Sequence, residues 1–311
     1  MRFSFTEDQR ALAGAVREVL EKTCPPEAVR SGPRPGPGWR ALAEVGLLGA
    51  HVPEQYGGLG LTPLDTVLAF EETGRCAVPG PLVETAVAAP LLVPAARLAE
   101  IAAGTLVVSV ASPYLPDADL ADLHVVGALV APHGELDLTP HPSVDATRPL
   151  TAAPGDWTSP ALDHAALATA AQLLGLGRRL QEEAVGYAGQ RRQFGKVIGS
   201  FQAVKHQLAD VAVALEFAAP LVYRAAYALA HDAPGAARDV SAAKLAASRA
   251  AHRAARTALQ VHGAIGYTDE LDLRLWLNRV WALRPAWGDD GLHRARLRAA
   301  LLESPATARL P

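Results

Sequence analysis

The sequence predicts a mainly α-helical chain with a small β domain in its middle. Apolar residues recur at helical spacing through the C-terminal half and after the N-terminus. Between these regions, the run LVVSVAS and the segments after it are rich in β-branched residues and punctuated by proline and glycine. We expect an N-terminal helical domain at residues 1–104, a β domain at residues 105–158 and a C-terminal four-helix bundle at residues 159–311.

The composition supports closely packed helices. Half of the 311 residues are hydrophobic but only 5% are aromatic, so the core must be built largely from Ala, Leu and Val. The net charge of −3 gives no reason to expect nucleic acid as a partner. Cys24 and Cys76 are too few for a disulfide framework and have no metal-binding spacing, so no metal is expected.

The sequence also argues against a membrane span and an export signal. The longest apolar stretch, residues 83–101, is interrupted by Pro90 and Pro94 and contains Glu84. The N-terminus MRFSFTEDQR lacks the apolar core of a signal peptide, and a cytoplasmic location is expected.

Helix starts can be assigned in the N-terminal domain. Thr6 and Gln9 have the spacing of a capping box, which predicts a helix to about residue 22. Thr62 followed by proline predicts a second start, with Gly74 as a plausible C-cap. The proline-rich residues 24–38 are expected to form a linker or an extended crossing.

Short helices are expected at residues 39–45 and within residues 81–103. In the β domain, candidate strands lie at residues 124–130 and 135–138. Long helices are expected at residues 160–190, 200–231 and 236–261, a short one near residues 270–280 and a last one at residues 289–303.

Residues 187–210 have the sequence YAGQRRQFGKVIGSFQAVKHQLAD. We predict a helix ending near Phe194, a turn at Gly195 and Gly199, and a second helix with Ser200 as its N-cap. Arg191 would lie in the last turn of the first helix, where a cation suits the helix dipole and could bind an anion. A solvated arginine is the plainer alternative.

Three separated motifs resemble those of the acyl-CoA dehydrogenase family. They are R-x-x-F-G followed by F-Q-x-V-x-H-x-L-A-D, the later segment ALQVHGAIGYTDE, and the N-terminal segments FTEDQRALAGAVREVL and WRALAEVGLLGAHVPEQYGGLGL. The segment VDATRPL resembles the end of the family's middle β domain, which by this comparison is truncated here. The resemblance covers nearly the whole chain and implies the family's three-domain fold.

The resemblance implies FAD, bound between subunits, and removal of two hydrogens from the α and β carbons of an acyl thioester. Arg191, Gln193 and Phe194 would contact the pyrophosphate and adenine side of an FAD held mainly by a neighbouring subunit. Gln260 and Gly263 would line the same dinucleotide, since glycine lets a backbone approach closely.

The catalytic base departs from the family's pattern. The usual glutamate position falls on Trp287, and the position that some members use falls on Ala165. The acid–base groups nearest to these positions are Asp163, His164, Asp289 and Asp290. Each of them could also serve as a helix cap or a solvated helix start. The family's T-E-x-x-x-G-S-D segment, which helps to hold the flavin ring, corresponds here to ASPYLPDADLADLH.

Three functional hypotheses follow. The chain could be an acyl-CoA dehydrogenase subunit with an incomplete site of its own, in a homo-oligomer or beside a second dehydrogenase-like subunit that shares or holds the FAD. Alternatively, the fold could serve redox-neutral chemistry such as cyclisation, elimination or hydration, with FAD lost. The third hypothesis is a non-catalytic partner or scaffold.

Overall fold

The computed structural model of the chain describes residues 4–32, 34–153, 159–268 and 270–302. Helices, strands and helices follow one another in the predicted order. The N-terminal α-helices are α1 (Glu7–Thr23), α2 (Pro26–Ser31), α3 (Pro37–Glu44), α4 (Pro63–Arg75) and α5 (Leu98–Ala102).

Both predicted helix starts are confirmed. Thr6 accepts a hydrogen bond from the Gln9 backbone N–H at 3.2 Å, and Thr6 N–H donates to the Gln9 side chain at 3.0 Å. At the start of α4, the Asp65 carboxylate accepts from the N–H and the hydroxyl of Thr62. These caps satisfy amide groups that a helix start leaves without partners.

Three N-terminal expectations need correction. The segment predicted as a linker contains α2, because prolines are tolerated at the first turn of a helix. Residues 81–103 form α5 and single turns, including a π-helical turn at Glu84–Ala88. Gly74 lies inside α4 rather than at its C-cap, which is Cys76.

Gly74 is instead a contact point between two helices. A Cβ at this position would lie 2.1 Å from the Gln172 carbonyl oxygen in the C-terminal region, and a Cβ at Gly175 would lie 1.9 Å from the Glu71 carbonyl oxygen. The two glycines therefore let the helix backbones approach more closely than any other residue would allow.

The middle region forms two small sheets from the strands β1 (Val108–Val110), β2 (Leu115–Pro116), β3 (Leu123–Val126), β4 (Leu129–Pro132), β5 (Thr139–His141) and β6 (Leu150–Ala152). One sheet has the order β1-β3-β4, with β1 and β3 parallel, and the other is antiparallel in the order β2-β6-β5. The strand predicted at residues 135–138 is absent from the described residues there; β5 begins at Thr139. The predicted domain end at residue 158 lies outside the described residues.

The C-terminal region begins with α6 (Leu162–Gln190), followed by β7 (Arg192–Gln193) and β8 (Lys196–Val197). The helices that follow are α7 (Gln202–Ala230), α8 (Ala236–His262), α9 (Leu273–Leu283) and α10 (Asp290–Leu302). Buried alanines and leucines of α6, α7 and α8 pack together as the centre of the core. The predicted long helices are confirmed, although residue 303 at the end of the last one lies outside the described residues.

Among the described helices, α7 is the one that is long and apolar enough to cross a membrane by length and composition. Core helices of proteins that never enter a membrane pass the same test. The two cysteines are free thiols, with Cys24 buried and Cys76 half-buried.

Candidate functional site

A two-residue hairpin joins α6 to α7 and corrects the predicted helix–turn–helix corner. Helix α6 ends at Gln190, β7 pairs with β8, and the turn is made by Phe194 and Gly195 with φ of 51° and 78°. Positive φ at both central residues is typical of a tight hairpin turn. Ser200 is not the N-cap of α7; it lies in a single 3₁₀ turn and donates to the Val197 carbonyl.

The hairpin presents an aromatic ring and a cation to solvent. Phe194 at its tip is 90% exposed. Arg191 is the C-cap residue of α6, with an exposed side chain that has no partner among the described residues. The helix dipole favours a cation at this position, and a free guanidinium can donate two parallel hydrogen bonds to an anion.

The other residues expected to contact the dinucleotide lie at the same end of the bundle. The Tyr187 ring of α6 stacks on the His262 ring of α8, with centroids 4.2 Å apart, so the two helix ends meet. Gln260 is exposed in the last turn of α8, and Gly263 follows with φ of 67°. A Cβ at Gly263 would meet nothing within 4 Å.

The two positions predicted to correspond to the family's base are buried and cannot accept a proton. Ala165 is fully buried in α6, and Trp287 is 1% exposed. The indole N–H of Trp287 donates to Glu84 Oε1 at 3.2 Å, across 203 residues of sequence. Arg148 donates to the same oxygen at 2.9 Å.

Glu84 is the centre of this buried contact, and we expect its second oxygen to face one water. Oε2 has no hydrogen-bond partner among the described residues. The cavity beside it has a volume of about 10 Å³ and is lined partly by Thr169 and Gln172. A polar cavity of this size holds roughly one water molecule.

A second ion pair links the middle and C-terminal regions. Arg279 of α9 donates to Asp145 at 2.5 Å and to the Val78 carbonyl at 2.6 Å. Burial alone would raise the pKa of Asp145, but Arg279 and the hydrogen bonds of Thr147 hold it below its usual value. These contacts tie the three regions together.

Two further buried groups hold in place the loop between α9 and α10, which carries Trp287. Lys244 Nζ donates to the carbonyls of Arg284 and Gly288 at 2.9 and 3.1 Å, and burial lowers its pKa to about 7. His293 lies 3.0 Å from the Trp287 carbonyl, and burial lowers its pKa to about 4.

The three candidate aspartates are engaged in caps and ion pairs. Asp289 accepts the Leu292 N–H at 2.8 Å, as an N-cap does. Asp290 pairs with Arg294 at 3.0 Å, and Asp163 pairs with Arg296 at 2.7 Å. Their catalytic roles remain predictions.

His164 is the candidate base that borders a cavity. This second cavity also measures about 10 Å³, and its lining includes His51, Thr66 and Phe70. Burial lowers the pKa of His164, while burial and then the charge of His164 lower the pKa of His51 to about 4. Lowered pKa values favour the neutral form of both rings. The cavity is too small for an acyl chain.

Sequence reasoning missed the roles of Glu84, Arg148, Arg279 and Lys244. It treated Glu84 as a charge that interrupts an apolar stretch. The available signal was a carboxylate with apolar residues on both sides along the chain, since such a group is rarely buried unless it is paired.

Comparison with known proteins identifies the family. A model of the acyl-CoA dehydrogenase N-terminal domain matches residues 6–97, and a model of the C-terminal domain matches residues 156–302. The chain is 33% identical to acyl-CoA dehydrogenase IpdE2 of Mycobacterium tuberculosis, over 96% of this chain and 99% of that protein. The chain belongs to the acyl-CoA dehydrogenase family.

Solved structures confirm the fold. A chain of the ChsE4–ChsE5 complex from Mycobacterium tuberculosis matches with a TM-score of 0.86 at 23% identity, covering 98% of this chain and 100% of that one. PigA with FAD and proline matches with a TM-score of 0.82 at 19% identity, covering 97% and 99%.

The residues of this chain fit the outer part of FAD and do not fit its flavin ring. Arg191 offers a free guanidinium, and Gly263 offers a backbone that nothing blocks. Base and flavin act on adjacent substrate carbons, so ring and base must lie close together. Here Trp287, at the position predicted for the base, is buried, and the cavities beside Glu84 and His164 hold about one water each.

Proposed function

We propose that this chain is one subunit of a hetero-oligomeric, FAD-dependent acyl-CoA dehydrogenase whose reacting groups lie in a partner chain. The buried Trp287–Glu84 contact carries this proposal, because Trp287 stands at the position predicted for the base and a buried indole cannot abstract a proton. The likeness to a chain of a two-component complex supports it.

This chain would complete the partner's dinucleotide site. Arg191 would bind the pyrophosphate through its guanidinium fork, and Phe194 would cover a face of the adenine. Gln193 and Gln260 would offer amide hydrogen bonds, and Gly263 would allow close approach of the backbone. When bound, FAD supplies the acceptor for the hydride that leaves the β carbon.

Substitution of Arg191 tests this contribution. In the complex with the partner chain, Arg191→Gln should weaken FAD binding by about 10- to 100-fold, because charge-assisted hydrogen bonds to the pyrophosphate are lost. The retained FAD is measured by absorbance after gel filtration.

Arg192→Gln is the matched control, since Arg192 already donates to the Gly195 carbonyl at 3.1 Å within the hairpin. The control should keep its FAD. Equal retention by the wild-type complex and the Arg191→Gln complex would show that Arg191 does not bind the cofactor.

Redox-neutral chemistry is a second candidate. His164 favours it, because this side chain lines a cavity and burial lowers its pKa. The cavity of about 10 Å³ does not admit an acyl thioester, so this candidate requires the pocket to open. Turnover of an acyl-CoA without flavin, abolished by His164→Gln, would establish it.

A further inference from the structure

Two histidines lie side by side on the hairpin formed by β3 and β4. His124 belongs to β3, and His133 directly follows β4. The N–H of His133 donates to the Asp122 carbonyl at 2.9 Å, so the antiparallel pairing continues beyond β4 and places the two histidines diagonally on one face of the sheet. Their ring centroids are 5.5 Å apart, and the ring planes are tilted by 40°.

Each of the two rings is held by a hydrogen bond to a backbone carbonyl in the loop between β2 and β3. Nε2 of His124 lies 2.9 Å from the Ala118 oxygen, and Nδ1 of His133 lies 3.0 Å from the Ala121 oxygen. A carbonyl oxygen only accepts, so the ring nitrogen that faces it must carry the proton. In the neutral rings, the lone pairs are therefore on Nδ1 of His124 and Nε2 of His133.

The lone pair on His124 has no partner within the described part of the chain. His124 is fully buried, and its Nδ1 makes no hydrogen bond there. A buried polar atom without a partner is uncommon in native proteins and calls for an unseen water, ion or ligand. His133 is exposed, so an ion can reach the pair from solvent and the His133 ring can adjust to it.

The spacing and the hydrogen bonds of this pair suit a metal ion. Histidines that bind metals almost always donate their other ring N–H to a carbonyl or a carboxylate, which fixes the tautomer. Two imidazoles that bind one tetrahedral Zn²⁺ through bonds of about 2.0–2.1 Å have ring centroids roughly 5 Å apart, close to the 5.5 Å observed here. No third histidine, cysteine, aspartate or glutamate joins the pair in the described residues, so water would complete the coordination.

We propose that His124 and His133 bind a divalent transition-metal ion such as Zn²⁺ through these two nitrogens. Imidazole is a preferred ligand of Zn²⁺, Cu²⁺ and Ni²⁺. The ion would fix both rings and, through their hydrogen bonds, the loop between β2 and β3. No metal was expected from the spacing of the two cysteines, whereas this pair is made by histidines at neighbouring strands. The site does not depend on the proposed function, because neither histidine belongs to the dinucleotide contacts.

Calorimetric titration of the untagged full chain with Zn²⁺ tests the site. The wild-type chain should bind one ion at this pair. His133→Gln should weaken that binding by about 100-fold, because the second imidazole binds an ion that the first already holds in the same molecule. Binding should also weaken as the pH falls, since both imidazoles must be neutral to bind the ion.

A matched control separates the pair from single surface histidines. His206→Gln removes an exposed histidine of α7 and should leave the Zn²⁺ affinity within about twofold. Zn²⁺ should raise the unfolding midpoint of the wild-type chain and of His206→Gln, but not that of His133→Gln. His124→Gln should lose binding as well. His124 is buried, so if this variant fails to fold, the exposed His133→Gln still decides the matter.

A spectrum of the bound metal identifies the ligands directly. With Cu²⁺ in place of Zn²⁺, electron paramagnetic resonance should show coupling to two nitrogen ligands in the wild-type chain and to fewer in His133→Gln. Zn²⁺ affinity that His133→Gln leaves unchanged would mean an adventitious ion only and would overturn the proposal. The absence of any binding at millimolar Zn²⁺ would overturn it as well.

Discussion

On the proposed function, Trp287 and Glu84 would turn the position predicted for the base into a structural one. At this position a base would need a free carboxylate, whereas the indole N–H donates to a carboxylate that is also paired with Arg148. The tryptophan fills the space as well as removing the base. We propose that its role is to close the site.

Removing the indole should destabilise the chain strongly. Trp287→Ala leaves a cavity and withdraws a hydrogen bond from buried Glu84, so we expect a loss of about 3–5 kcal/mol in the free energy of unfolding. Urea denaturation measures it. Phe194→Ala is the control, because that ring is exposed and its loss should change stability by no more than about 0.5 kcal/mol. Similar values for the two variants would refute the closing role.

His293 should make stability depend on pH. Burial lowers its pKa from 6.5 to about 4, so the unfolded chain takes up a proton that the folded chain does not bind between these values. The stability that neutral His293 contributes is present above pH 6.5 and is lost as the pH falls towards 4. One such proton gives a slope of at most about 1.4 kcal/mol per pH unit.

The matching variant is His293→Gln, which should show a smaller slope of unfolding free energy against pH in that interval. His206→Gln, at the exposed start of α7, serves as the control and should keep the native slope. If His293→Gln keeps it as well, His293 is not the group responsible.

At the scale of elements, glycines decide how closely α4 and α6 approach. Gly74→Ala would place a Cβ 2.1 Å from the Gln172 carbonyl oxygen, and separating the helices should cost about 1–3 kcal/mol or more. Gly14→Ala is the matched control, because its Cβ would lie on the exposed side of α1 and meet nothing within 4 Å. This substitution should stabilise the helix by about 0.5–1 kcal/mol. Thermal unfolding of the two variants should shift in opposite directions, and a neutral Gly74→Ala would contradict the close approach.

The same elements show what could be predicted from sequence. The caps at Thr6 and Thr62 depend on residues three positions away, so their motifs were sufficient. Gly74 was wrongly predicted to be a C-cap. Glycine is required there by the Gln172 carbonyl on another helix, which the local sequence does not reveal. The hairpin at Phe194 was missed because glycines between two helices, here Gly195 and Gly199, fit a simple turn as well as a hairpin.

The candidate site divides in a similar way. The family motifs around Arg191 and Gly263 could be recognised, and both lie at the same end of the bundle. The contact between Glu84 and Trp287 could not be foreseen, because 203 residues of sequence separate the two side chains. Nothing local in either segment encodes that contact.

At the scale of the whole molecule, buried ion pairs hold the three regions together. Glu84 with Arg148 joins the N-terminal and middle regions, and Asp145 with Arg279 joins the middle and C-terminal regions. Such pairs cost desolvation and are strongly destabilising when one partner is removed. On the proposed function, the chain held together in this way would complete the dinucleotide site of a neighbouring subunit.

The central claim is that this chain completes a partner's flavin site. The most direct test measures the flavin content of this chain alone and of its complex with the partner dehydrogenase chain. We predict that the chain alone is colourless, whereas the complex is yellow, carries fewer FAD molecules than chains and bleaches when an acyl-CoA is added. Stoichiometric FAD on the isolated chain, reduced by an acyl-CoA, would contradict the account.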